Sequence, residues 1–213
     1  GDDRAKKILG YSDTGTFDCD NMPPQLAAML DRYSEQIGET SGSYATDNSW
    51  SKISRKSSLE GVLLPTANWD QGAPYNALCP EFAGVKAPTG CVATAMAIVM
   101  KYNKWPQEYN WEAMPTENPT SENSVEIAKL MKDAGEAVHM GYGQYESSAN
   151  MNWVGHRLQQ VFHYSPEVQY ITQQNFSPEE WTRMIRENLD KQSPIIYSAD
   201  SGSIGHAFVI DGY

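Results

Sequence analysis

The most continuous apolar pattern in the chain lies over residues 91–102, which read "CVATAMAIVMKY". A segment of this length that is apolar on almost every side predicts a helix buried on most of its surface. Apolar residues recur every three or four positions in three other segments, which predicts amphipathic helices over residues 22–37, 124–136 and 149–163.

A further helix is predicted from its first residues, which read "SPEE". Ser177 is a favourable N-cap, Pro178 suits the first helical position, and Glu180 stands where it can complete a capping box. The sequence therefore predicts that a helix begins at this serine.

The pattern changes period after that helix. Two short segments rich in β-branched and aromatic residues, "PIIYSA" and "HAFVIDGY", are separated by the turn-forming "DSGSIG". They predict two neighbouring antiparallel strands. Helices first and strands last favour an α+β fold over an alternating fold with a parallel sheet.

Composition divides the chain near residue 60. The segment after the first predicted helix, "GETSGSYATDNSWSKISRKSS", is rich in Ser, Thr and Gly and has almost no apolar periodicity. Such a segment is typical of a linker and of a site of proteolytic cleavage. We expect residues 1–60 to form a small unit with a cleavable linker and residues 61–213 to form the main domain.

Charge and hydropathy exclude some classes of partner. The net charge of −11 argues against nucleic acid or an anionic membrane surface. No apolar run reaches the length of a membrane span, and no signal peptide is evident at residue 1, where "GDDRAKKILG" is consistent with a processed end.

The three cysteines, Cys19, Cys79 and Cys91, are too few for a disulfide scaffold and odd in number. A bridge between Cys19 and Cys79 stays open. The scattered cysteines and histidines show no paired spacing of a metal site, so no metal or other cofactor is predicted.

Cys91 stands at the start of the buried helix, directly after Gly90. A helix N-terminus carries unpaired N–H groups and a partial positive charge, which lowers the pKa of a cysteine and favours the nucleophilic thiolate. Gly90 leaves room for a substrate backbone. The alternative is a small buried residue that begins a core helix.

Two other residues fit the chemistry of a cysteine nucleophile. His206 precedes an apolar strand and could act as the base, although a histidine there could equally belong to the surface or the core. Gln71, in "WDQGAPYN", could donate to an oxyanion or simply lie in a loop. His139, His156 and His163 have no nucleophile paired with them and are interpreted as structural.

Four motifs together resemble one family. These are "DQGAPYN", "TGCVATAMAIVMKYNKWP", "LMKDAGEAVHMGYG" and "GHAFVIDGY", and they are similar, in order over nearly the whole chain, to the streptopain family of bacterial papain-like cysteine peptidases. The resemblance implies a helical half that carries the nucleophile, packed against an antiparallel β-sheet half. It also implies that residues 1–60 are the later part of a propeptide plus its linker.

The resemblance also assigns roles to residues. Cys91 matches the family nucleophile and His206 the general base, while Gln71 and the backbone N–H of Cys91 match the oxyanion hole. Ser147 and Ser148, in the loop from Gly143 to Asn150, match a segment that borders the substrate cleft. Ala207 matches a position beside the specificity pocket.

In this family the histidine strand is followed by an asparagine and a Trp-Gly-Trp run that orient and cover the catalytic pair. This sequence ends at Tyr213, before that segment. We therefore expect further residues, or a separate chain, to complete the domain.

Three functions remain to be weighed. The first is the precursor of a secreted or cell-envelope bacterial endopeptidase, which hydrolyses polypeptides and is kept latent by its own propeptide. The second is a binding or inhibitor module without catalysis, which would not need Cys91, His206 and Gln71 together. The third is acyl transfer by the same thiol, against which only the family resemblance argues.

Overall fold

A computed structural model describes residues 30–31, 61–200 and 205–213 of this chain. Leu30 and Asp31 are helical, as the pattern over residues 22–37 predicts, and the rest of that segment lies outside the described residues. The linker and the predicted unit of residues 1–60 lie outside them as well, apart from these two residues.

The main domain contains four helices and six strands in its described part. In chain order they are β1 (Glu81–Phe82), β2 (Val85–Lys86), α1 (Cys91–Asn103), α2 (Val125–Ala137), β3 (Gly141–Tyr142), β4 (Ser147–Ser148), α3 (Asn152–Gln160), α4 (Pro178–Asp190), β5 (Ile195–Asp200) and β6 (Gly205–Ile210). Short 3₁₀ turns lie at Trp111–Ala113 and Gln173–Asn175.

Helix α1 is the centre of the core, as its apolarity predicts. Met96 and Met100 are fully buried, and each such side chain contributes roughly 1.5–3 kcal/mol on burial. The helix ends at Asn103 because Lys104 adopts a left-handed conformation with φ of 48°, and Pro106 follows two residues later. Proline cannot continue a helix.

Helix α1 packs against helix α2 on one side and against strands β5 and β6 on another. The face that α2 turns to α1 is apolar and almost fully buried; its largest members are Ile127, Leu130 and Met131. Trp69, from the loop that precedes the helices, is buried in the same cluster. The nucleophile candidate therefore begins the most enclosed element of the domain.

The strands form three two-stranded antiparallel sheets. Strands β5 and β6 pair over their full length, with Tyr197 opposite Phe208 and Ala199 opposite His206. Leu63 forms a bridge with Gly212, just beyond β6. Both predicted strands and their antiparallel pairing are confirmed, and so is the α+β class.

Two local predictions differ from the structure. The predicted helix over residues 149–163 is shorter, because the chain leaves the helix after Gln160 and turns so that Phe162 enters the core. The predicted loop over Gly143–Asn150 contains strand β4, which pairs with β3. Strands of two residues depend on a partner strand, so periodicity within the segment does not reveal them.

In the part of the chain that the structure describes, no helix is both long enough and apolar enough to cross a bilayer.

Candidate active site

Cys91 is the first residue of helix α1, and its side chain is half-buried. Gly90 occupies the N-cap position and offers no side chain, so no side-chain cap covers this helix start. Within the described residues, the amides of Cys91 and Val92 have no hydrogen-bond acceptor. Unsatisfied amides at a buried helix start form a site for an anion or a developing oxyanion.

Gly90 is fixed by its surroundings as well as by its backbone. Its φ of 85° lies in the region that favours glycine. A Cβ at this position would stand 2.5 Å from the Sδ of Met140 and 3.2 Å from the carbonyl oxygen of Ser147. The chain that follows helix α2 therefore packs directly against the residue that precedes the nucleophile.

The two residues before Gly90 are held by hydrogen bonds. Thr89 is fully buried, and its hydroxyl lies 2.7 Å from that of Thr94 on the first turn of α1. The hydroxyl of Ser147 donates to the carbonyl of Pro88 at 2.7 Å. The segment that presents Cys91 is thus fixed at each of its three residues.

Gln71 lies beside this same segment. Its backbone carbonyl accepts a hydrogen bond from the backbone amide of Thr89 at 3.0 Å. Its backbone amide donates to the carboxylate of Asp70 at 2.6 Å. The side chain is half-buried. The predicted oxyanion-hole residue is therefore hydrogen-bonded directly to the segment that precedes the nucleophile.

His206 lies on strand β6, the strand that packs against helix α1. Along this strand Ala207 is buried in the core cluster against which Cys91 packs, whereas His206 and Phe208 are exposed. The rings of His206 and Phe208 stack with centroids 6.3 Å apart. Among the described residues no hydrogen bond joins Cys91 to His206, and such contacts often tighten only when substrate is bound.

The two candidate cleft serines differ in their surroundings. Ser147 is 9% exposed and its hydroxyl is engaged by the Pro88 carbonyl, whereas Ser148 is exposed. Because successive residues of a strand point to opposite sides, β4 directs one serine inward and the other outward. Of the two, Ser148 is the one that solvent reaches freely.

Two other candidates, Cys79 and His139, have surroundings of a different kind. Cys79 is a free thiol in the structure, and Cys19, with which the sequence left a bridge open, lies outside the described residues. Burial raises the pKa of the Cys79 thiol and so disfavours its thiolate. The Nε2 of His139 lies 2.7 Å from a guanidinium nitrogen of Arg157, and the His139 ring meets Trp153 edge-on.

Sequence reasoning missed two residues that shape the site. Met140 fills the space beside Gly90, and Thr94 links the first turn of α1 to Thr89. No local signal marks Met140, because its contact joins segments fifty residues apart. Thr94 is marked only weakly, as a polar residue on an otherwise apolar helix.

Comparison with known families gives two matches. The model of the Peptidase C10 family matches residues 69–108 and 107–213 of this chain. A second model, described as Spi protease inhibitor, matches residues 1–37. The peptidase match covers more than half of the chain and includes Gln71, Cys91 and His206.

Two curated relatives are similar over the whole chain. Streptopain of Streptococcus pyogenes is 32% identical, and the thiol protease/hemagglutinin PrtT of Porphyromonas gingivalis is 30% identical. The chain covers 64% of the length of streptopain and 29% of the length of the Porphyromonas protein. The chain therefore spans less than two thirds of either relative.

Two solved structures from Prevotella intermedia share the fold. Active interpain A cysteine protease matches 72% of this chain and 77% of its own, with a TM-score of 0.65 and 32% identity. A prointerpain A fragment matches 100% of this chain and 76% of its own, with a TM-score of 0.69 and 28% identity. The chain therefore belongs to the Peptidase C10 family, the streptopain type of cysteine peptidases.

Proposed function

We propose that this chain is part of the precursor of a secreted or cell-envelope cysteine endopeptidase, kept latent by its N-terminal region. Residues 61–213 would supply the papain-like peptidase domain, and residues 1–60 the later part of the propeptide with its linker. Extended polypeptides are the substrates. The family membership and the protease names of the relatives support this assignment.

The proposed chemistry uses one thiol, one imidazole and one amide. The Cys91 thiolate attacks the peptide carbonyl and forms a carbon–sulfur bond, while Gln71 and the Cys91 N–H hold the oxyanion. The C–N bond then breaks, and His206 gives its proton to the leaving amine. Water, deprotonated by His206, hydrolyses the thioester and releases the thiol.

One observation carries the proposal most directly. Cys91 begins a helix whose first amides have no cap, and the three residues before it are each held by tertiary contacts. A cysteine that served only packing would gain nothing from a rigid, uncapped helix start. The same features are what a thiolate and an adjacent oxyanion require.

Latency is proposed for the N-terminal region on two grounds. Residues 1–37 match the Spi protease inhibitor model, and the following segment has the composition of a cleavable linker. Similarity to a prointerpain A fragment over 100% of the chain is consistent with a precursor. Cleavage between about residues 39 and 60 would separate the two parts.

The experiment that tests the proposal is alkylation by iodoacetamide at mildly acidic pH, read by peptide mass spectrometry. An ordinary thiol is almost wholly protonated there, so only a stabilised thiolate reacts quickly. We expect fast labelling of Cys91 and slower labelling of it in His206→Ala. Cys79, whose thiolate is disfavoured by burial, provides the internal control.

Slow labelling of Cys91 at the rate of Cys79 would contradict the proposal. It would favour the alternative of a binding module without an assembled catalytic pair. Fast labelling of Cys91 that persists in His206→Ala would support a stabilised thiolate at Cys91 but contradict the assignment of His206 as its partner.

A further inference from the structure

We propose that Ser147 is a positioning residue for the nucleophile, and that it acts by holding the carbonyl of Pro88. The inference rests on the proposed function, because it concerns how Cys91 is presented. Ser147 does not touch the reacting atoms in this arrangement. It acts through the three-residue segment Pro88–Gly90.

The contact that carries the inference is a tertiary hydrogen bond. The Ser147 hydroxyl donates to the Pro88 carbonyl at 2.7 Å, across 59 residues of chain. Proline has no amide hydrogen, so Pro88 cannot be anchored through its own N–H. Its carbonyl is therefore the group through which the backbone at this point can be fixed.

The backbone of Ser147 also lies close to the segment. Its backbone carbonyl lies 3.2 Å from the position that a Cβ of Gly90 would occupy. One strand residue thus donates to Pro88 through its side chain and lies beside Gly90 through its backbone. Thr89, the residue between Pro88 and Gly90, forms hydrogen bonds with Gln71 and Thr94.

Strand pairing explains why Ser147, and not its neighbour, makes this contact. Tyr142 pairs with Ser147 and Gly141 with Ser148 in the β3–β4 hairpin. This register turns Ser147 inward, where it is 9% exposed, and turns Ser148 to solvent. Serine suits this position because its hydroxyl can donate to the Pro88 carbonyl from the inward face of the strand.

Loss of this hydroxyl would leave the Pro88 carbonyl without its donor. The segment before Cys91 would then relax, and the thiol would shift relative to the uncapped amides of helix α1. Small misplacements of catalytic groups lower rates by up to on the order of 100-fold. We expect Ser147→Ala to lower kcat by on the order of 10- to 100-fold, with KM little changed.

The test compares Ser147→Ala with a matched control in the full chain. Ser124 is 1% exposed and its hydroxyl also donates to a backbone carbonyl, that of Ser121. It precedes helix α2, and among the described residues no hydrogen bond joins it to Pro88–Cys91. Ser124→Ala should therefore lower thermal stability without altering the reactivity of Cys91.

The main readout is the pH profile of Cys91 alkylation by iodoacetamide, with hydrolysis of labelled casein measured alongside. We expect the Cys91 profile of Ser147→Ala to move toward that of an ordinary thiol. Ser147→Thr, which keeps the hydroxyl, should restore the wild-type profile. If Ser147→Ala proves too unstable, Ser147→Cys has nearly the same size and a weaker donor, and should show the same displacement of the profile.

The outcomes separate this inference from the proposed function. A reactive Cys91 in the wild type, with an unchanged profile in Ser147→Ala, would overturn the role of Ser147 and leave the peptidase proposal standing. An equal displacement in Ser124→Ala would also overturn it, because general destabilisation would then be the cause. A wild-type Cys91 no more reactive than Cys79 would overturn both.

Discussion

The backbone of Gly90 decides where the nucleophile can lie. Its φ of 85° turns the chain sharply into helix α1, and Met140 and Ser147 close the space on its outer side. A side chain here meets both a backbone penalty and a steric one. Glycine is thus required here by the backbone conformation and by the close packing of Met140 and Ser147, which fill the space that a side chain would need.

Gly90→Ala tests this requirement. A non-glycine residue held in such a conformation costs about 1–3 kcal/mol, and the contacts with Met140 and Ser147 add to this cost. We therefore expect the free energy of unfolding to fall by at least that amount, as measured by urea denaturation. Reactivity of Cys91 should fall with it. The matched control is Gly84→Ala, since Gly84 has a similar φ of 81° with nothing within 4 Å of its Cβ position.

We expect a loss of stability in both variants that is larger in Gly90→Ala, because only there does the added Cβ also meet neighbouring atoms, and a loss of thiol reactivity in Gly90→Ala alone. Unchanged reactivity in Gly90→Ala would show that the contacts with Met140 and Ser147 do not set the position of Cys91.

Partly buried tyrosines give the domain a limit at alkaline pH. Burial raises the pKa of Tyr164 to about 12, and it also raises the pKa values of Tyr109 and Tyr142. A raised pKa means that the folded state holds the proton more tightly than the unfolded state does. The corresponding stability is present below pH 10 and is lost as the pH rises from about 10 to 12.

Tyr164→Phe removes one of these groups. We expect the free energy of unfolding to decline less steeply above pH 10 in this variant, by at most about 2–3 kcal/mol over two units. Circular dichroism measures the unfolding transition, and tyrosinate absorbance measures the ionisation of the tyrosines. Identical alkaline profiles in Tyr164→Phe and wild type would contradict a protonated, partly buried Tyr164 as a source of stability.

At the scale of elements, the start of helix α4 is stabilised by interactions between residues that are close in sequence. The Ser177 hydroxyl accepts from the Glu180 amide at 3.2 Å, and the Glu180 carboxylate accepts from the Ser177 amide at 2.9 Å. Pro178 occupies the first turn. The predicted capping box is confirmed, because four consecutive residues contain all of its interactions.

Ser177→Ala should remove one half of this box. Loss of a serine N-cap costs about 0.5–2 kcal/mol, and we expect a decrease of about 1 kcal/mol in unfolding free energy. Hydrogen exchange should accelerate at the amides of the first turn of α4. Ser193→Ala, an exposed serine beyond the other end of this helix, should change neither quantity.

At the scale of the whole molecule, the proposed site joins distant parts of the chain. Gln71 comes from the loop before the helices, Cys91 from the start of α1, and His206 from the strand that packs against that helix. Residues 1–37, which match an inhibitor model, belong to the other predicted unit. Activation by cleavage between the two units is the property to test at this scale.

If activation is autocatalytic, Cys91→Ala should leave the segment between about residues 39 and 60 intact, while the wild-type chain is cut. Mass spectrometry of the incubated proteins measures the cleavage. Addition of a small amount of wild-type protein to Cys91→Ala should restore cleavage if one molecule cuts another. Cleavage of Cys91→Ala alone at the wild-type rate would mean that an outside protease performs it.

The sequence by itself determined the features that depend on near neighbours. The apolarity of α1, the cap of α4 and the two strands around His206 all follow from periodicity or from residues within one turn. Cys91 could be assigned to a helix start because Gly90 and the apolar run after it are adjacent in sequence. These predictions are confirmed because short-range interactions dominate each of them.

The tertiary structure alone decided how the segment before Cys91 is held. Ser147 reaches Pro88, Met140 packs against Gly90, and Gln71 binds the amide of Thr89. Each contact joins residues between 18 and 59 positions apart, and each depends on packing between elements rather than on local propensity. The hairpin that carries Ser147 likewise needs its partner strand, so the sequence pattern showed only a loop there.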